Sequence, residues 1–172
     1  MPSILFVCTA NQFRSPIAAA CLLKGIKQED TERNWIVESA GTWTKDGLRV
    51  PGTALQIADR LGLDRLDRHR SRQINQKLLG NFDLIIVMEI SHKEAIRSEF
   101  PSVYGRVYLL SEIVEDLFYD IPDPTNSEIS TADIGHELYT LITKGKEKIL
   151  HLAETLHKSK PPERGSETSR YP

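Results

Sequence analysis

Four short runs of branched and aliphatic residues, spaced by stretches of helical periodicity, constrain this 172-residue chain more than any other feature. Ile4 to Val7, Trp35 to Val37, Leu84 to Val87 and Val107 to Leu110 are apolar without alternation. That is the pattern of a strand whose two faces are both covered, as in a parallel sheet sandwiched by helices. Between the runs lie candidate helices. One spans Pro16 to Gln28 with Ile17, Ala20, Cys21 and Ile26 on one side and Pro in its first turn. Others centre on Leu55, Ala58 and Leu61 (ended by Gly62), on Ile74, Leu78 and Leu79, and on Ala95, Ile96 and Phe100, stopped before Pro101. The longest pattern places Ile134, Leu138, Leu141, Ile149, Leu152 and Leu156 on one stripe of a C-terminal helix. Strands alternating with helices at this spacing predict an open, doubly wound α/β domain.

The size is that of one ordinary domain. Lys158 to Pro172, with Pro161-Pro162, Gly165 and several Ser and Thr, cannot build a core, so the reading is a domain over residues 1–157 and a disordered tail over 158–172. Twenty-two basic and 24 acidic residues leave a formal net charge of -2, which argues against a dedicated nucleic-acid or membrane-surface binder. No run approaches the length of a membrane span, and Met1-Pro2-Ser3 leads straight into the first strand with no signal-cleavage pattern. Two cysteines cannot form a disulfide scaffold. The expectation is a cytoplasmic protein whose cysteines serve chemistry or packing. From Asp59 to Arg72, Asp and Arg alternate; such a run forms either a solvated face or a docking rim for an anionic partner.

The chemistry concentrates after the first strand, in Cys8-Thr9-Ala10-Asn11-Gln12-Phe13-Arg14-Ser15-Pro16. A short loop between a buried strand and a helix N-terminus turns successive backbone N–H groups into one concavity and adds the positive end of the helix dipole. Arg14 offers a planar fork matched to two phosphate oxygens. Cys8 faces the same cradle, and comparable surroundings lower a cysteine pKa from about 8.5 to roughly 3.5–7.5. A Cys at a strand end is more often a small buried hydrophobe. Here it follows a four-residue apolar strand, and the loop ends in Arg-Ser-Pro at a helix start, which favours a nucleophile aimed at a bound oxyanion. Ser15 can donate a hydrogen bond to the thiolate. Cleavage of a phosphoester also needs a proton donor for the departing oxygen. The candidate is Asp123, in the Pro-rich loop Asp120-Ile121-Pro122-Asp123-Pro124-Thr125-Asn126; a turn Asp is the alternative.

These segments, with Glu38-Ser39-Ala40-Gly41-Thr42, His69-Arg70-Ser71-Arg72-Gln73 and Asp83 to Met88, fall in the order and at about the spacing of the low-molecular-weight protein tyrosine phosphatase family, which the chain resembles over residues 3–157. The resemblance implies a four-stranded parallel sheet with helices on both faces, a cysteinyl-phosphate intermediate, and neither cofactor nor metal. It implies Cys8 as nucleophile, Arg14 as phosphate clamp, Asp123 as acid and then base, and Ser15 as thiolate partner. Thr9, Ala10, Asn11, Gln12 and Phe13 become the phosphate-binding loop. Asn11 is expected to be held by Ser39 and His69, with Glu89 orienting His69. The implied partner is a phosphorylated protein, phosphotyrosine first, with inorganic phosphate as product.

Four positions depart from the family. Ala10 stands for a Gly and Phe13 for a second Cys; Cys21, more than three helical turns from Cys8, is expected to pack in the core. Ala10 is strained by about 1–2 kcal/mol if the position needs positive φ, and neutral otherwise. Gln12 replaces the apolar residue of tyrosine phosphatases or the Thr of protein-arginine phosphatases, and Thr125 replaces a Tyr that walls the substrate slot. Trp43 can supply the opposite wall by stacking on a phenyl phosphate. The alternatives are a protein-arginine phosphatase or a phosphoprotein-binding module that has kept the anion cradle. Arsenate reduction is disfavoured, because its thioredoxin-coupled form needs further cysteines.

Overall fold

The computed structural model of the chain describes residues 1–29 and 34–160. Strand β1 (Ser3–Cys8) is buried along its whole length, and it pairs in parallel with β2 (Ile36–Gly41) on one side and β3 (Leu84–Val87) on the other. Strand β4 (Val107–Leu109) completes a four-stranded parallel sheet in the order β2-β1-β3-β4. The chain thus leaves β1 toward one neighbour and returns on its other side, which makes the C-terminal ends of β1 and β3 a topological switch point, where open α/β sheets place their ligands.

Alternate residues of each strand feed two cores. Ile4, Phe6, Leu84 and Ile86 pack toward α1 (Arg14–Gln28), α2 (Gly52–Leu61), α5 (Leu110–Glu115) and α6 (Thr131–Ser159). Leu5, Val7, Ile85 and Val87 pack toward Leu79 of α3 (Gln76–Gly80) and Ile96 of α4 (Ile90–Glu99). Both faces are dry, which is why the strands read as continuous apolar runs. Helix α6 lies so close to α5 that a Cβ on Gly145 would sit 2.3 Å from Val114 Cγ2. Among the described residues, no helix is long and apolar enough to cross a membrane.

Three expectations shift. The second strand is not Trp35–Val37 but Ile36–Gly41; it contains the polar Glu38 and Ser39 because their side chains bind Arg72 and Asn11. Leu110 starts helix α5, which the apolar run concealed. Helix α6 continues to Ser159, past the boundary expected at 157. Composition did not end it; Lys160 turns extended (φ -69°, ψ 124°) ahead of Pro161, as residues before proline do. The buried Asp83 anchors this end, bonded to His157 Nδ1 at 2.9 Å and lying 3.5 Å from Lys160 Nζ. The expected tail beyond Lys160 lies outside the described residues.

Candidate active site

The loop from Thr9 to Phe13 joins the buried end of β1 to the N-terminus of α1, so its position is fixed at both ends. Asn11 fixes its middle. It is fully buried in the left-handed region (φ 55°), which Asn tolerates better than most side chains. Its amide is used completely: Nδ2 donates to Ser15 Oγ and to Ser39 Oγ, both at 2.9 Å, and Oδ1 accepts from the Arg72 N–H at 3.0 Å. Its carbonyl lies 2.8 Å from His69 Nε2; since a carbonyl only accepts, Nε2 carries the hydrogen. Burial, the largest influence, pushes the His69 pKa down, so the ring serves as a neutral donor. Glycine at position 41 is a close-approach requirement, because a Cβ there would lie 2.6 Å from the Thr9 carbonyl and 3.1 Å from Asn11 Cβ.

Ala10 has no positive φ. The strain considered for a Cβ at this position is therefore absent. None of the N–H groups of Thr9 to Phe13 donates to another group of the chain among the described residues, so these donors are free for an anion.

Cys8 is 3% exposed, with Sγ 3.0 Å from Ser15 Oγ. That hydroxyl has one hydrogen and two acceptors within reach, since the Ala40 carbonyl is 3.3 Å away. A charged sulfur outcompetes a carbonyl for it, so the hydroxyl responds to the state of Cys8. Cys21 is a different thiol: buried in the core and pushed up to about 12 by that burial, it stays protonated.

On the other flank, the Arg14 guanidinium is buried (2% exposed) and contacts four groups. Nη1 donates to Glu89 Oε1 and to the Ile121 carbonyl (2.8 Å); Nη2 donates to Asp123 Oδ2 at 3.0 Å and reaches Thr9 Oγ1 at 3.5 Å. Glu89 therefore does not orient His69, as the sequence led one to expect; its Oε1 pairs with the Arg14 guanidinium, and Oε2 accepts from Ser91. Asp123 Oδ1 accepts twice from Thr125, from N at 2.9 Å and Oγ1 at 2.7 Å. Burial raises the Asp123 pKa, but the Thr125 bonds and Arg14 outweigh it, and the carboxyl ends below its usual range.

Sequence reasoning missed His92. It is 6% exposed on α4, with Nε2 2.9 Å from Thr9 Oγ1 and 3.8 Å from Glu89 Oε1, while Nδ1 is buried without a partner among the described residues. Burial holds its pKa below the usual histidine value despite Glu89. The spacing Glu89-x-x-His92 at a helix start was the available signal, since residues three apart share a helix face. Thr125 was legible too: an Asp two residues before a Thr is a common turn-capping pattern. Arg72, which acts through its backbone, left none.

Cys8, Gln12, Phe13, Arg14, Trp43 and Asp123 line one cleft of about 640 Å³ at the sheet's C-terminal edge. Trp43 stands at its mouth, 83% exposed, and Gln12 Nε2 is fixed to the Arg49 carbonyl at 2.9 Å. Ser39 and His69 stand behind the loop and support it. Among the described residues, no group of three or more His, Cys, Asp or Glu is gathered as a metal site. A family model described as low molecular weight phosphotyrosine protein phosphatase matches residues 3–161. The chain belongs to that family. It is accordingly a cysteine-dependent phosphatase, a hydrolase of phosphomonoesters.

Relatives within the family carry two kinds of name. A probable low molecular weight protein-tyrosine-phosphatase, EpsP, of Ralstonia nicotianae is 30% identical over 79% of this chain and 87% of its own. A protein-arginine-phosphatase of Geobacillus stearothermophilus is 32% identical over 85% of this chain and 95% of its own. Among solved structures, the YwlE arginine phosphatase from Geobacillus stearothermophilus superposes with a TM-score of 0.77 at 29% identity, covering 94% of this chain and 99% of that one.

Proposed function

We propose that the chain hydrolyses phosphotyrosine in proteins through a phosphoryl group carried on Cys8. The observation that supports this most is the convergence, in one cleft, of a buried thiol 3.0 Å from a serine hydroxyl, a forked guanidinium, and a carboxyl at the mouth. Cys8 Sγ attacks phosphorus in line with the ester oxygen, forming the S–P bond as the O–P bond breaks. The loop N–H groups and Arg14 hold the three equatorial oxygens. Asp123 gives its proton to the departing oxygen. It then takes one from a water that attacks the cysteinyl phosphate, releasing inorganic phosphate and a thiolate stabilised by Ser15.

The resting Asp123 is bound to Arg14 and held in its ionised form, the wrong state for an acid. The substrate corrects this. A phosphate dianion draws Arg14 toward its own oxygens and places negative charge beside Asp123, and both effects favour the protonated carboxyl.

The test is turnover of an aryl phosphate by variants. Cys8→Ser is expected to be inactive at unchanged fold, and Asp123→Asn to lose about 10²–10⁴-fold, the usual range for a proton donor. Wild-type turnover in either overturns the mechanism.

Phosphoarginine is the second reading. It is favoured by the arginine-phosphatase relative, while Gln12 matches neither branch of the family. Trp43 stacks on a phenyl ring or a guanidinium alike. Parallel turnover of phosphotyrosine and phosphoarginine peptides, with Gln12→Ile and Gln12→Thr alongside, decides between them. The near-neutral charge and paucity of cysteines support a cytoplasmic protein acting on protein substrates, with one domain over the body of the chain.

A further inference from the structure

The alternating Asp/Arg run separates by charge once folded. Four of the five arginines between residues 59 and 72 line a groove of about 380 Å³ behind the phosphate loop, against only Asp64 of the three aspartates. Its floor is apolar, made by Ala19, Ala20 and Leu23 of α1 with Leu66. Its two carboxylates are already committed, Asp64 to Lys27 at 3.3 Å and Glu38 to Arg72. Arg65, Arg68 and Arg70 are exposed; among the described residues the only carboxylate within ion-pair distance of any of them is Asp67, 4.0 Å from Arg68, with both side chains largely in solvent. The groove therefore carries surplus positive charge on a protein whose formal net charge is -2.

The remaining wall is the free edge of the sheet. β2 is an outer strand. Ile36 N and Thr42 N donate inward, to the carbonyls of Pro2 and Cys8, so even-numbered residues face β1 and odd-numbered ones face out. Near the strand's end these outward groups are used, with Ser39 O accepting from Arg72 Nε and Gly41 pairing with the segment around Gln73. Val37 turns its N–H and C=O into the groove's open stretch. An unpaired strand edge is a template for an added strand.

We propose that this groove is a docking site for an extended acidic segment of a partner protein, laid along β2 with its carboxylates on Arg65, Arg68 and Arg70. The fit is of charge and shape together. Arginine forks suit carboxylates, the alanine floor admits a backbone at close range, and the edge supplies main-chain hydrogen bonds. The site is separate from the catalytic cleft, sharing no lining residue with it; it meets the phosphate loop through the loop's supports Ser39, His69 and Arg72.

The test is fluorescence anisotropy of a labelled oligoglutamate peptide against the full chain with vanadate saturating the catalytic cleft. Expected are saturable binding that weakens with added salt, and at least about tenfold loss in an Arg65→Glu/Arg68→Glu/Arg70→Glu variant whose aryl phosphate turnover is unchanged. Val37→Pro, which removes one outward N–H and leaves the β1 ladder intact, is expected to weaken binding as well. The proposal is overturned if the peptide does not bind, if vanadate displaces it, if the charge-reversed variant or Val37→Pro binds like the parent, or if a single-stranded RNA of equal charge binds as tightly through the same arginines.

Discussion

The two flanks of the phosphate loop are held by opposite kinds of force. On the Asn11 side every partner is neutral and nearly every donor is matched, with Ser15, Ser39, His69 and the Arg72 backbone closing around one buried amide. On the Arg14 side the partners are charged: Glu89, Asp123 and the Arg14 guanidinium, backed by His92 and Thr9. The first arrangement has one good solution and resists change. On the proposed mechanism the second is rewritten when a phosphate arrives, since Arg14 cannot grip the substrate and hold Asp123 in its resting geometry at once. The loop is thus anchored by hydrogen bonds on one flank and bordered by ion pairs on the other.

The largest effect that separates the flanks is expected for Arg14→Lys. The charge remains but the fork is lost, and kcat/KM for an aryl phosphate should fall by about 10²–10³-fold, the range for losing a transition-state donor. A loss of less than about tenfold would mean that charge alone, without bidentate geometry, serves the clamp.

Gly41→Ala probes the neutral flank. Its Cβ meets the Thr9 carbonyl and Asn11, so thermal denaturation should report destabilisation of about 1–3 kcal/mol, together with weaker phosphate inhibition. Unchanged stability would show that the Asn11 side yields more easily than its hydrogen bonding suggests.

His92→Ala should cost about one hydrogen bond, ~1 kcal/mol or about fivefold in kcat/KM. His92→Gln should recover part of it by reaching Thr9. An Ala variant with parental kinetics would remove His92 from the charged flank.

The smallest effect is a pH shift. Thr125→Val deletes one of two bonds to the ionised Asp123, so the carboxyl's pKa rises, and the alkaline limb of the kcat/KM profile, where the acid loses its proton, moves to higher pH. A limb that stays put, or moves down, contradicts Thr125 as the group that sets this acid.

How much of this was legible in the sequence follows the same division. β1, β3 and the loop could be read because burial on both sides writes a continuous apolar run, and because Cys8, Arg14 and Ser15 lie within eight residues of one another. Asn11 was readable from its tolerance of left-handed backbone. β2 was blurred because Glu38 and Ser39, polar residues in a strand, serve the site rather than the core. Glu89 was assigned to the wrong histidine, since its distance in space from Arg14 and His69 depends on how β3 lies beside β1. Local rules conflict with the global fold at functional positions, and there the sequence pattern gives way.

The central claim is that Cys8 carries the phosphoryl group. Acid quenching of Asp123→Asn during turnover of an aryl phosphate, followed by mass spectrometry of its peptides, tests it directly, because slowed hydrolysis lets the intermediate accumulate. The account predicts one phosphoryl group on the peptide containing Cys8. Phosphorylation of a different residue, or product release with Cys8 unmodified under conditions that preserve a thiophosphate, would contradict it.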